Sequence, residues 1–188
     1  MLDDADVLRI LTITAHPDDV DFGVAGSAAR WTSEGIDVSY CVVTDGDAGG
    51  FDADFPRAEV PALRRAEQLD AARVVGVTDH LAAGEAALCA VYPDSRNPFA
   101  HPELAAEGLE AWTVDQVWLM GHESANRYVD ITDTIDRKVK ALLCHASQLP
   151  DPDSIDRRMR EWARANAAAA GMPNDAYAEG FFAIDTAG

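Results

Sequence analysis

The chain has 188 residues, 48% of them hydrophobic and 26% charged, which is typical of one globular domain rather than a disordered segment. Its 33 acidic and 15 basic residues give a formal net charge of -18, which argues against nucleic acid or an anionic membrane as a partner. The start lacks the basic residues of a signal peptide, and no apolar run approaches the roughly 20 residues that span a bilayer. Three widely spaced cysteines (Cys41, Cys89 and Cys144) favour free thiols, so we expect a cytoplasmic protein.

The first part of the chain predicts alternating strands and helices. We predict a strand at Val7–Ile13, a helix at Phe22–Glu34, a second strand at Ile36–Thr44 and a helix at Ala58–Val75. This order predicts a right-handed crossover and a parallel sheet, and therefore an α/β fold. The last of these helices carries charges that we interpret as a solvated face with pairing between neighbours, namely Arg64, Arg65 and Glu67.

The second part of the chain predicts further helices and two strands. The helices are predicted at 81–91, 102–107, 132–147 and 155–170, and the strands at 115–120 and 128–131. No repeat or interdomain linker interrupts them, so residues 1–188 are predicted to form a single domain. Tryptophans are interpreted as packing residues rather than as a sugar platform, with a pocket or a subunit contact as the alternative for Trp112; they are Trp31, Trp112, Trp118 and Trp162.

A histidine and two carboxylates follow the first predicted strand, in the sequence Ala15-His16-Pro17-Asp18-Asp19. Ligands of open parallel sheets bind at this carboxyl edge of the strands. An imidazole nitrogen of His16 and a carboxylate oxygen of Asp19 can converge on one divalent metal ion, which leaves Asp18 to act on a water at that metal. The alternative is a turn in which the aspartates cap the following helix.

A third metal ligand is expected from another loop at the same edge, and His80 is the best candidate. It stands beside Asp79 at a predicted helix start, where Asp79 is interpreted as a cap or as a partner that orients a histidine. Two nitrogens and one oxygen are a common ligand set of catalytic zinc, which keeps one position for water. The alternative for His80 is a helix-start histidine without a ligand role. His122 is predicted to contact substrate or donate a proton, and His145 to be structural at a helix end.

Several segments together resemble the LmbE/PIG-L family of zinc-dependent N-deacetylases. They are AHPDD, TDGDAGG, RRAEQLDAARVVGV, DHLAAGEAAL and VDITDTIDRKVKALLCHASQ, which cover most of the chain. That family includes sugar deacetylases and amidases of mycothiol and bacillithiol metabolism and the GlcNAc-phosphatidylinositol deacetylase. The resemblance implies a Rossmann-like three-layer sandwich with a mostly parallel central sheet and a metal site at the carboxyl ends of its strands. It also implies hydrolysis of the N-acyl amide, typically N-acetyl, of a GlcNAc-type sugar or glycoside, and family members often form homo-oligomers.

The resemblance also assigns roles to individual residues. It makes Asp18 the general base, and His16, Asp19 and His80 the ligands of one Zn²⁺ per chain, although such a site also accepts Fe²⁺, Mn²⁺ or Co²⁺. For a sugar substrate, residues at the same edge are expected to contact hydroxyl groups: Asp45, Asp47 and His122. The glycine-rich loop Asp45–Gly50 does not match GxGxxG, which argues against the alternative of a nucleotide-binding Rossmann domain.

The chain departs from the family pattern between Val77 and Thr78. The family has a further helix and strand here, so by ordinary element lengths about 40–50 residues are absent. Val77 also occupies the position of a family histidine that assists at the oxyanion or the leaving amine. Either the protein is shortened at this junction or a segment is missing from the sequence; we favour the latter, because a lost central strand would leave backbone groups unpaired. The departure motivates a second hypothesis, a metal- or sugar-binding relative without turnover.

Overall fold

The computed structural model describes residues 7–52, 54–77, 79–81, 95–97, 99, 102–121 and 123–186, with the backbone alone for residues 79–81. Strands and helices alternate in its first part: β1 (Arg9–Thr14), α1 (Asp19–Ser33), β2 (Asp37–Val42), α2 (Val60–Val75) and β3 (Asp79–Leu81). They are followed by α3 (Pro102–Ala106), β4 (Gln116–Met120), β5 (Arg127–Asp130), α4 (Ile135–Leu143), α5 (Ile155–Ala169) and β6 (Ala178–Asp185). None of the helices in these ranges has the length and apolar character needed to cross a membrane.

The described strands form two sheets of three strands each. In the first, β2 lies between β1 and β3 and all three run parallel, with Thr14 opposite Val42 and Tyr40 opposite His80. In the second, β6 lies between β4 and β5 and runs antiparallel to both. The predicted α/β class is confirmed. The expectation of a single, mostly parallel sheet is not met in the described residues, because β6, a strand that was not predicted, pairs β4 and β5 into a separate antiparallel sheet.

One hydrophobic core joins the two parts of the chain. Helices α1, α2 and α4 pack against one another, and α5 packs against α4 and β6. The ring centroids of Trp31 in α1 and Trp118 in β4 are 6.0 Å apart, and Phe181 in β6 lies 5.4 Å from Trp118. The predicted packing role of Trp31 and Trp118 is therefore confirmed, and these aromatic contacts connect α1 to the antiparallel sheet.

Helix α2 and strand β3 lie on either side of the junction between Val77 and Thr78. Helix α2 ends at Val75 and is followed by Gly76, whose φ of 86° is in the left-handed region that favours glycine, and Val77 is buried at 3% exposure. Strand β3 then begins at Asp79 and pairs directly with β2. The prediction of a helix start at Asp79 and His80 is therefore wrong, because both residues lie in a strand. The interpretation of Asp79 as a helix cap is wrong for the same reason. The predicted helix at 81–91 is also wrong at Leu81, which lies in β3, and its remaining residues, with Cys89, lie outside the described residues.

Candidate active site

The turn between β1 and α1 brings two of the predicted metal ligands together. The Oδ2 atom of Asp19 accepts a hydrogen bond from the backbone N–H of His16 at 2.9 Å and lies 3.1 Å from His16 Nδ1. Both side chains are about half exposed, at 54% for His16 and 44% for Asp19. The two donor atoms therefore face each other on an accessible edge, immediately after the carboxyl end of β1.

This spacing fits two ligands of one divalent cation. Ligands about 2.0–2.2 Å from a tetrahedral Zn²⁺ lie about 3.3–3.5 Å from each other, close to the 3.1 Å between His16 Nδ1 and Asp19 Oδ2. Within the described residues, no cluster of three His, Cys, Asp or Glu side chains could hold a metal. The backbone of His80 lies opposite Tyr40, two positions before the level at which β1 ends, and its side chain is not described. The ligand role of His80 stays a prediction.

Asp18 is engaged by a buried arginine. The Nη2 atom of Arg64 donates to Asp18 Oδ1 at 2.6 Å, and the side chains are 4% and 19% exposed. Asp18 occupies the N-cap position of α1, but its side chain makes no capping hydrogen bond. The alternative interpretation, in which the Asp18 side chain caps the helix, is therefore wrong. The carboxylate is instead oriented by a guanidinium group, with Oδ1 committed to that ion pair.

Arg64 also connects the motif to the glycine-rich loop after β2. Its Nη1 atom donates to the carbonyl of Gly46 at 2.9 Å. Gly46 has a φ of 65°, which favours glycine, and a Cβ at this position would lie 2.0 Å from that Nη1 atom, so a side chain here would displace the Arg64 guanidinium. Asp45 and Asp47 flank this buried glycine and are exposed. The structure therefore places both aspartates on a loop that is tied to Asp18 through one arginine.

The interpretation of the α2 charges as a solvated face is wrong for two of them. Glu67 is 8% exposed and accepts hydrogen bonds from Ser147, from the backbone N–H at 2.7 Å and from Oγ at 2.6 Å. Arg64 is buried as described, whereas Arg65 is exposed. The helical spacing could have revealed their burial. Arg64 and Glu67 lie on the same inward-facing side of the helix as its buried apolar residues, which are Val60, Ala71 and Val75.

A second polar cluster lies beneath the motif, around Asp21. The Oδ2 atom of Asp21 lies 2.8 Å from His145 Nε2 and accepts from Gln68 Nε2 at 3.0 Å. Asp21 and His145 are both fully buried. Burial, together with the negative charges of Asp21 and Glu179, raises the pKa of Tyr40 well above its usual value. His145 is thus structural, as expected, but it acts through Asp21 in the first turns of α1 rather than through a helix end.

A buried ion pair holds the middle of α1. Lys138 in α4 donates from Nζ to Glu179 Oε1 at 2.6 Å, and both side chains are at most 1% exposed. The same ammonium donates to the carbonyls of Asp21 and Phe22, at 3.1 and 2.6 Å. Glu179 in β6 accepts from the backbone N–H groups of Gly26 and Ser27, at 3.0 and 2.7 Å. The helix that begins with the motif is therefore fixed to the last strand by its own backbone.

A cavity opens beside Asp19. It has a volume of about 400 Å³ and is lined by the end of β1, the first turns of α1, the end of β4 and one residue of α5. Its side chains include Phe22, Met120 and Trp162, and Gly121 also lines it. His122, predicted as a substrate contact, lies outside the described residues, although its neighbour Gly121 is in the cavity wall.

Comparisons with known proteins identify the family of this chain. The sequence profile described as PIG-L, GlcNAc-PI de-N-acetylase, matches residues 11–164, and the chain belongs to this family. The match confirms the family resemblance inferred from the motifs. A diacetylchitobiose deacetylase of Thermococcus kodakarensis is 26% identical over 193 aligned residues, which cover 78% of this chain and 72% of that enzyme.

Two solved structures show the same fold. The N,N'-diacetylchitobiose deacetylase of Pyrococcus horikoshii superposes with a TM-score of 0.82 at 24% identity, covering 97% of this chain and 85% of that one. The 4-carboxy-2-hydroxymuconate hydratase GalB of Pseudomonas putida KT2440 superposes with a TM-score of 0.65 at 19% identity, covering 94% of this chain and 95% of that one. These likenesses establish the fold alone, and the second belongs to a hydratase, so the reaction has to be argued from the site.

Proposed function

We propose that this protein is a metal-dependent N-deacetylase that hydrolyses the N-acetyl amide of a GlcNAc-type sugar or glycoside. The observation that carries the proposal is the exposed turn in which His16 and Asp19 present two metal donors beside the oriented carboxylate of Asp18. Membership of the GlcNAc-PI de-N-acetylase family supports the reaction, and the diacetylchitobiose deacetylase among its relatives supports an acetylated amino sugar as the substrate.

The proposal assigns one Zn²⁺ to His16 and Asp19, with His80 as the third ligand. Imidazole and carboxylate donors also suit Fe²⁺, Mn²⁺ and Co²⁺, so the metal is assigned by the common chemistry of the donors. When bound, the ion would supply a Lewis acid that polarises the amide carbonyl and makes a nearby water more acidic.

Asp18 is proposed as the general base. Arg64 holds one oxygen of its carboxylate, so the second oxygen can take a proton from the attacking water without a change of rotamer. Asp18 then returns a proton to the leaving amine, which gives acetate and a free amino sugar. The exposed carboxylates of Asp45 and Asp47 are proposed to accept hydrogen bonds from sugar hydroxyls, because Gly46 between them is tied through Arg64 to the catalytic aspartate.

The test is acetate release from N-acetylglucosamine and diacetylchitobiose by the purified, zinc-supplemented protein. We expect turnover that a chelator abolishes and Zn²⁺ restores, with about one zinc per chain by elemental analysis. The Asp18→Ala variant should bind the metal but lose most of its turnover, and near-normal hydrolysis by that variant would refute its role as the base. The intact mass is measured first, because a value clearly above 20.2 kDa would show that the protein contains residues that the given sequence lacks.

A binding protein without turnover is the second candidate. The observation that favours it is Val77, a buried valine where the family pattern has a histidine. This candidate predicts that the zinc-loaded protein binds acetylated sugars in calorimetry but releases no acetate. Acetate release that depends on Asp18 would exclude it.

A further inference from the structure

The surroundings of the motif are chemically asymmetric. On the side of Asp18 lie Arg64, the glycine-rich loop and the exposed Asp45 and Asp47, all of which suit hydroxyl groups. On the side of Asp19 lies the cavity of about 400 Å³, whose walls are mostly apolar. Among the described residues that line it, the polar side chains are Asp19 itself and Thr14, whose hydroxyl already donates to the carbonyl of His16. The described part of the wall therefore offers few partners for the hydroxyls of a sugar.

The apolar wall comes from three separate elements. Phe22 lies in α1, Met120 at the end of β4 and Trp162 in α5. Trp162 is 39% exposed, and the ammonium of the buried Lys138 lies 5.4 Å from the centroid of its ring. That cation–π contact ties the indole to the ion pair that holds α1, so the wall is positioned together with the motif.

We propose that this cavity is an acyl-chain subsite, and that besides N-acetyl substrates the protein hydrolyses N-acyl glucosamines whose acyl chain is longer than acetyl. The inference rests on the proposed function and specifies its acyl group. Bound with its sugar on the side of Asp18 and its amide at the metal donors, the substrate directs its acyl chain along Asp19 into the cavity. The cavity is widely open to solvent, and its volume of about 400 Å³ is larger than a single methyl group fills.

Gly23 lies in the cavity wall beside Met120. A Cβ built on Gly23 would lie 2.6 Å from the Sδ atom of Met120, so an alanine there displaces the methionine side chain. Both residues line the cavity, so the displacement changes the shape of its wall. Gly23→Ala is therefore a substitution that alters the proposed subsite without replacing His16, Asp18 or Asp19, and alanine is a better helix former than glycine.

The experiment compares kcat/KM for N-acetyl-, N-butyryl- and N-hexanoyl-glucosamine, using the zinc-supplemented protein. Each methylene buried against the wall should raise kcat/KM by about two- to fourfold in the wild type. Trp162→Ala and Gly23→Ala should each flatten this dependence, measured as the ratio of kcat/KM for the hexanoyl substrate to kcat/KM for the acetyl substrate in the same variant. The matched control is Trp112→Ala, which removes a 63% exposed tryptophan from outside the cavity and should leave the chain-length dependence intact.

The outcomes separate this inference from the proposed function. If the acetyl substrate is hydrolysed and longer chains give no gain, the acyl subsite is refuted and the deacetylase proposal stands. A chain-length dependence that survives in both cavity variants also refutes the subsite, because the gain then arises elsewhere. If no member of the series releases an acid, both proposals are overturned. A gain that is lost in both cavity variants and kept in Trp112→Ala supports the acyl subsite.

Discussion

The buried ion pair between Lys138 and Glu179 makes a sharp prediction about stability. Glu179→Ala removes the carboxylate that accepts from the Lys138 ammonium and from the backbone N–H groups of Gly26 and Ser27. The lysine is fully buried, so it is left with the carbonyls of Asp21 and Phe22 as its hydrogen-bond partners. The substitution therefore leaves the positive charge of Lys138 buried without a carboxylate, which lowers the free energy of unfolding.

The expected loss of stability follows from the burial of the ion pair. Breaking a buried ion pair by removing one partner costs about 3–5 kcal/mol, whereas an exposed pair contributes about 0–1 kcal/mol. For a domain of this size each kcal/mol lowers Tm by about 2–4 °C, so Glu179→Ala should lower Tm by about 6–20 °C. Glu179→Gln keeps the shape and one acceptor oxygen, and its loss should be smaller but of the same sign.

The assay is urea and thermal unfolding followed by circular dichroism. The control is Glu161→Ala, because the pair of Arg157 and Glu161 is 68% and 59% exposed and its loss should change stability by less than about 1 kcal/mol. The double variant Lys138→Met with Glu179→Ala removes the orphaned charge and should recover part of the lost stability. A loss below about 1 kcal/mol in Glu179→Ala would contradict the reasoning, because the carboxylate would then not be neutralising a buried cation.

Three further predictions concern the site and the thiols. Asp18→Asn should retain metal and lower kcat far more than it changes KM, as judged by acetate release; an equal loss in metal content would instead point to a ligand role. Arg64→Lys should lower kcat by about 10- to 100-fold, because one ammonium cannot bridge Asp18 and Gly46 as the guanidinium does, and Arg65→Lys on the exposed face is the control. Burial, aided by the charge of Asp21, raises the pKa of the Cys144 thiol, so its thiolate fraction at pH 8 is reduced. Iodoacetamide should therefore alkylate Cys144 more slowly in the folded protein than in urea, by peptide mass spectrometry, and equal rates would refute this.

The strands and helices with clear periodicity were predictable from the sequence. Helix α2 ends at Val75 as expected, and β4 and β5 lie within one residue of their predicted bounds. The motif was also predictable, because a histidine and two carboxylates after a buried strand are a local pattern. Local pattern is sufficient where the burial of an element agrees with the chemical character of its residues.

The predictions that are wrong concern segments in which a charged side chain is buried. Strand β6 was missed because Glu179 and Gly180 interrupt its apolar residues, and the partners that make burial of Glu179 favourable lie in α1 and α4. The prediction that Arg64 is exposed to solvent is wrong for the same reason, because its partner Asp18 is 46 residues away in the sequence. Pairing across such distances is a property of the tertiary structure, so a window of local sequence does not contain it.

The hydrogen bonds between α1 and β6 also affect when the helix that carries the motif becomes fixed in place during synthesis of the protein. Gly26 and Glu179 are 153 positions apart, so a ribosome releases the motif helix long before the strand that secures it. Until β6 arrives, Lys138 has no carboxylate partner and α1 lacks a clamp on its own backbone. Contacts of such long separation form late and slow the final folding step. A nascent chain that ends before β6 should therefore carry all the motif residues and yet hold them on a helix that is still unanchored.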